Sequence, residues 1–209
     1  MSYRYISIEG NIGVGKTTFS KMLSKALNAR LILEEFADNP FLPKFYKNPD
    51  RHAFSLELFF LAERYRQLGE IVEQDLFSNG VVSDYFIMKS KLFAQNNLKD
   101  DELLLFDRLS DIILFHLPKP DLIIYLHSDV HRLQKNIKKR GRTFEQDIND
   151  DYLLNIQEKY FDFFKKQVDF PVLIVDVSEK DFVNNDADFS AILSLTKRTF
   201  SKGVHRILL

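Results

Sequence analysis

The chain has 209 residues, 29 basic against 30 acidic side chains, a formal net charge of −1 and no cysteine. That length fits a single domain, and the near-neutral balance argues against a polymeric nucleic acid or an anionic membrane surface as partner. The missing cysteines exclude a disulfide framework and a thiolate zinc site, no apolar run approaches a membrane span, and MSYRYISIEG shows no leader pattern, so a soluble, cytoplasmic protein is expected.

In chain order, Tyr5–Ile8 is β-branched and aromatic and reads as a strand. Gly10, Asn11, Ile12, Gly13, Val14, Gly15, Lys16 and Thr17 then spell G-x-x-x-x-G-K-T, with three of the seven glycines in one loop. From Thr17 to Leu27 the apolar residues Phe19, Met22, Leu23, Ala26 and Leu27 fall at helical spacing. Strand, glycine turn and helix start together aim backbone N–H groups and a helix dipole at a phosphate. The residues from Gly10 to Thr18 are therefore expected to bind a nucleoside triphosphate. Lys16 would reach its β- and γ-phosphates, and the Thr17 hydroxyl would face Mg²⁺.

Further strands are expected at Arg30–Leu33, Gly80–Ser83, Leu122–Leu126 and Val172–Val175, five in all. Each is apolar on both sides, as strands buried on both faces are. Between them, helices are expected at His52–Phe77, Ile87–Ala94, Glu102–Leu117, Val130–Lys139 and Tyr152–Val168. Strands alternating with helices give an α/β fold of three layers, a five-stranded parallel sheet flanked by helices. The 20 phenylalanines supply core volume or a dimer interface.

Acidic residues stand where two of these strands end. Glu34, in Leu33-Glu34-Glu35-Phe36, lies where ligands bind in open α/β sheets and could take the proton of an attacking hydroxyl. Asp84 follows Val81-Val82-Ser83 in a Walker-B-like pattern and would hold Mg²⁺ directly or through water. Downstream, Lys138-Lys139-Arg140-Gly141-Arg142 follows a basic helix. A mobile lid at about 138–150 could set Arg140 and Arg142 on the transferring phosphate. A compact P-loop protein with lid arginines is laid out as a small-molecule kinase.

Several segments in order resemble the deoxyribonucleoside kinases, most of all their bacterial deoxyguanosine/deoxyadenosine kinase branch. They are Ile8 to Thr17, Glu34 with Asp38-Asn39-Pro40-Phe41, Phe45 to Pro49, Phe54 to Arg64, Ser83-Asp84-Tyr85, Lys139 to Glu145, and Val172 to Phe182. The resemblance covers about residues 4–180. It implies transfer of the γ-phosphate of ATP to the 5′-hydroxyl of a deoxyribonucleoside, and a homodimer packed through helices. It also implies that Glu34 deprotonates the 5′-hydroxyl, that Tyr46 and Glu145 bind the sugar 3′-hydroxyl, and that Arg140 and Arg142 serve as the lid arginines. Asp84 resembles the acid at the magnesium position, and Asp176 to Phe182 the loop packed over the ATP adenine.

Three positions depart from the family pattern. Glu57 replaces a base-reading glutamine, seven residues before Arg64, so the two share a helix face. A carboxylate that only accepts and a guanidinium that only donates suit guanine, can serve adenine, and fit pyrimidines less well. A purine acceptor is therefore expected. Tyr85 follows Asp84 where many relatives have arginine, leaving Lys89 or Arg64 to replace it. Asn136 likewise stands where arginine is common, so either Arg132 compensates or a phosphate contact is missing. The alternative activity is a nucleoside monophosphate kinase of the thymidylate kinase type. Glu34 and Glu35 oppose it, because carboxylates repel a monophosphate.

Overall fold

Strand β1 (Tyr5–Gly10) occupies the middle of the sheet and is buried at all six positions. A computed structural model describes residues 3–35, 39–74, 80–115 and 117–209, with backbone alone for 70–74. The expected helix end at Phe77, and Phe36 and Asp38 of the quoted segments, lie outside the described residues.

After β1 come α1 (Lys16–Leu27), β2 (Arg30–Ile32), α2 (Leu42–Lys47), α3 (Pro49–Gln74), β3 (Val81–Ser83), α4 (Lys89–Asn97) and α5 (Asp100–Leu114). The second half runs β4 (Leu122–His127), α6 (Val130–Arg140), a 3₁₀ turn (Thr143–Glu145), α7 (Asp150–Lys166), β5 (Pro171–Asp176), α8 (Asp186–Leu195) and β6 (Gly203–Ile207). Strand order is β2-β3-β1-β4-β5-β6, with every pair parallel.

Alternation along the strands divides the interior into two layers. Tyr5, Ile123 and Tyr125 face the core shared with Leu61, Phe106 and Tyr160. Ile6, Ile8, Ile124 and Leu126 face the other, with Phe19, Leu23 and Leu133. Helix starts follow their caps: the side chains of Asp129, Asn149 and Asn185 accept from the first-turn N–H groups of α6, α7 and α8.

The sheet has six strands, not the expected five. The extra one, β6, lies at the edge beside β5, and its Val204-His205-Arg206-Ile207 runs apolar, polar, polar, apolar, with Val204 and Arg206 exposed. An edge strand needs no continuous apolar run, so the signal that marked the central strands is absent there. No helix among the described residues is long and apolar enough to cross a membrane.

Candidate active site

The loop after β1 bends where only glycine fits. Gly10 has φ +147°, and a Cβ there would lie 2.6 Å from the Leu126 carbonyl oxygen of β4. Gly15, with φ +101°, caps α1, so the first turn of the helix opens directly onto the loop. Lys16 Nζ donates to the carbonyls of Gly10 and Asn11, both at 2.9 Å. Burial, then the nearby Lys89 ammonium, lowers the Lys16 pKa to about 8. Asn136 of α6 donates to the Gly13 carbonyl at 2.9 Å, so its amide braces the loop from the lid helix.

At the ends of β2 and β3 a charged cluster forms. Thr17 Oγ1 donates to Asp84 Oδ2 at 2.6 Å, and the Glu34 N–H donates to Asp84 Oδ1 at 2.7 Å. Burial, with Glu34 nearby, raises the Asp84 pKa. This hard-oxygen pair fits a divalent cation of the magnesium kind, which takes one or two protein ligands and fills its shell from phosphate and water. Glu34 itself receives Lys89 Nζ at 2.5 Å on one oxygen and Arg64 Nε at 2.9 Å on the other. Burial alone would raise its pKa. The charges and hydrogen bonds of Lys89 and Arg64 outweigh that and hold it well below the usual carboxylate range. Glu35 instead turns outward to Arg66, at 2.7 Å.

This pairing alters the expected base-reading set. Arg64 shares the cleft with Glu57, but its guanidinium is held by Glu34 and by Ser90 Oγ at 2.6 Å. Glu57 takes its hydrogen bond from Asn97 Nδ2 at 2.7 Å. Tyr85, in the place of the usual arginine, points into the core, where its hydroxyl donates to Gln67 at 2.6 Å. The cations beside Glu34 come from both Lys89 and Arg64 instead.

Tyr46 and Glu145 line the same cleft. Burial pushes the Tyr46 phenol well above its ordinary pKa, and its ring stacks on Phe144 at 6.0 Å. Both lid arginines grip Glu145: Arg140 on Oε2, and Arg142 on Oε1 at 3.1 Å. They sit within the cleft that also holds Lys16 and Thr17. Arg132 does not approach the P-loop in place of Asn136. Its guanidinium donates to the carbonyls of Ser178 and Lys180. That fixes the segment after β5, where Asp176 Oδ1 accepts from the Ser178 N–H at 2.9 Å. Phe182 closes the segment against Gly15, with its ring 3.0 Å from the position a Cβ would take.

Sequence reasoning missed Phe93, Asn97 and Tyr152, which all line the cleft. Lys89, Phe93 and Asn97 recur every four residues and so share one face of α4, a signal that could have found them together. Glu9 was also missed. Buried in β1, it accepts from the Phe86 N–H and, at 2.7 Å, from the Tyr160 hydroxyl. It thereby ties the turn carrying Asp84 to β1 and α7.

Residues 6–201 match the family model for deoxynucleoside kinase. The chain belongs to the deoxynucleoside kinase family. A deoxyguanosine kinase of Bacillus subtilis (strain 168) is 38% identical over 198 residues, covering 92% of this chain and 96% of the relative. A deoxyadenosine kinase of Dictyostelium discoideum is 34% identical over 185 residues, covering 84% and 73%. Among solved structures, deoxyadenosine kinase from M. mycoides with bound dATP aligns at a TM-score of 0.80 and 26% identity. It covers 92% of this chain and 99% of its own. As a deoxynucleoside kinase the protein is an ATP-dependent phosphotransferase. The thymidylate kinase alternative is not favoured by these matches.

Proposed function

We propose that this deoxynucleoside kinase transfers the γ-phosphate of ATP to the 5′-hydroxyl of a purine deoxyribonucleoside, deoxyguanosine or deoxyadenosine. The observation that carries the purine reading is Glu57, a buried carboxylate in a cleft also lined by Phe45, Phe60, Phe93 and Tyr152, with Oε2 unpartnered. A buried acceptor demands a donor; guanine meets it with two side by side, N1–H and N2–H₂, where cytosine and thymine each offer a single donor group, and adenine meets it with N6–H₂. The relatives named for deoxyguanosine and deoxyadenosine support the same reading.

In this mechanism Glu34 orients the 5′-hydroxyl and receives its proton late, as the phosphoryl group departs through a loose transition state. Its cationic neighbours keep it ionised and ready. Lys16 follows the β- and γ-phosphates, while Arg140 and Arg142 spread the charge on the moving group. Tyr46 and Glu145 hold the sugar 3′-hydroxyl. Thr17 and Asp84 would hold Mg²⁺, which supplies neutralisation of phosphate charge. Segment 176–182 forms the seat for the adenine of ATP, and the closed lid excludes water so that ATP is not hydrolysed.

The test is phosphoryl transfer from ATP·Mg²⁺ to deoxyguanosine, deoxyadenosine, deoxycytidine, thymidine and dTMP. Transfer to the purine deoxynucleosides is expected to dominate. Equal or faster transfer to the pyrimidines would refute the purine assignment.

A homodimer belongs to the same proposal. Leu104, Leu105, Ile112 and Phe115 fall within one arc of α5, Ile112 73% and Phe115 84% exposed. Exposed side chains of this size on one helix face mark an interaction surface. Ile112→Asp is expected to convert a dimer into a monomer in sedimentation or light scattering. A wild-type chain that sediments as a monomer would refute the dimer.

A further inference from the structure

Glu57 is 1% exposed and has no ion-pair partner among the described residues. Among the described groups facing it, Arg64 comes from its own helix and is committed to Glu34 and Ser90. Lys89, from α4, is committed to Glu34. Glu34 follows β2, Tyr46 belongs to α2 and Tyr152 to α7. Asn97, also from α4, is the one group that hydrogen-bonds Glu57, at 2.7 Å to Oε1. The Asn97 carbonyl oxygen in turn accepts from Asn96 Nδ2 at 3.0 Å, so the amide is oriented with its N–H₂ end toward the carboxylate. Oε2 is left buried without a partner, on a residue that lines the cleft.

We infer that Glu57 selects the acceptor base by its protonation state, taking guanine best as the carboxylate and adenine only as the carboxylic acid. The inference rests on the nucleoside-acceptor reading above and deepens it. An ionised carboxyl only accepts hydrogen bonds. Guanine matches it with N1–H and N2–H₂, two donors side by side. A protonated carboxyl offers one O–H donor and one C=O acceptor, the pattern of a glutamine amide. Adenine needs that pattern, with N6–H₂ as donor beside N1 or N7 as acceptor. The carboxylate sets acceptor against acceptor at adenine N1 or N7 in a buried site, where an unmade hydrogen bond is costly. The acid can still meet guanine through O6 and N1–H, but it gives up the charge-assisted pairing with N1–H and N2–H₂. Burial raises the Glu57 pKa to about 7, against the opposing effects of the Asn97 hydrogen bond and the Arg64 and Lys89 charges. Both forms are therefore present near neutrality, where neither purine titrates.

The experiment measures kcat/KM for deoxyguanosine and deoxyadenosine on the intact enzyme across the neutral range. The ratio of the two is the readout, because every group that serves both substrates cancels from it. The ratio of ionised to protonated Glu57 changes tenfold per pH unit, so the preference for deoxyguanosine should rise by about tenfold or more between about pH 6 and pH 8. Glu57→Gln cannot ionise and should give a flat ratio, lowered toward deoxyadenosine relative to the wild type at about pH 8. Asn97→Leu removes a hydrogen bond to the ionised form. It should move the changeover to higher pH, which a purely structural role for Asn97 would not do. Calorimetry in buffers of different ionisation enthalpy gives a readout without turnover: deoxyguanosine binding should release protons near pH 7, and deoxyadenosine binding should take them up. A flat ratio in the wild type, or a slope that survives Glu57→Gln, overturns the proposal while leaving the purine kinase standing. Failure to phosphorylate either purine removes both.

Discussion

Replacing Glu34 with glutamine is expected to lower kcat by about 10²–10⁴-fold, the usual worth of a positioned proton acceptor. The amide keeps the size of the side chain and can still accept one hydrogen bond, but it cannot take the 5′-hydroxyl proton. A second consequence accompanies the first. Arg64 and Lys89 both spend their charge on Glu34, and the substitution leaves two cations facing each other near Lys16. Removing one partner of a buried pair costs about 3–5 kcal/mol. The Glu34 side chain keeps 17% of its surface exposed, so solvent screening reduces that figure here. A thermal melt and a nucleoside-binding titration on the same sample separate the two effects. A folded variant that binds deoxynucleoside but turns over slowly supports the assignment. A variant with wild-type kcat sinks it.

The second large effect lies in the backbone. Gly10→Ala is expected to destabilise the protein by about 3 kcal/mol or more, because it combines a strained left-handed φ with overpacking. The new Cβ would meet the Leu126 carbonyl oxygen at 2.6 Å and Val14 Cγ1 at 2.8 Å. Neither can yield easily. Leu126 is paired to β1 on one side and β5 on the other, and Val14 belongs to the loop itself. A chain of this size loses about 2–4 °C per kcal/mol, so Tm should fall by about 6–12 °C. ATP binding should fail with it, since β1 and β4 must separate exactly where the loop begins. Gly69→Ala makes the control. It sits inside α3 with nothing within 4 Å of a Cβ, so alanine there should add up to about 1 kcal/mol of stability. Equal effects at the two positions would contradict the steric argument.

The contrast between these sites explains what the sequence reveals. The P-loop is legible because its chemistry is carried by consecutive backbone groups whose geometry is dictated by three glycines. Glu34 and Asp84 are legible because strand ends in a parallel sheet converge on one edge. The partner of Arg64 is not. Spacing along α3 places it beside Glu57, yet its guanidinium crosses to Glu34, 30 residues away in sequence. In a cluster of two acids and two bases, small differences in distance and desolvation decide who pairs with whom, and these exist only after the elements pack. The strand β6 escapes for a different reason: at an edge, Val204 and Arg206 remain in solvent, and Val-His-Arg-Ile carries neither a continuous apolar run nor an apolar/polar alternation.

The helix α6 has a role that goes beyond holding the lid. Asn136 is bonded to the P-loop, Arg132 to the segment after β5, and Arg140 at its end to Glu145. If the P-loop and the segment after β5 take ATP and Glu145 the nucleoside, as proposed, one rod of 11 residues touches the donor side at two places and the acceptor side at a third. Any tilt that ATP favours is felt at Glu145, and any tilt that the nucleoside favours is felt at the P-loop. Thermodynamic linkage then imposes symmetry: the factor by which either ligand changes the affinity of the other must be the same in both directions.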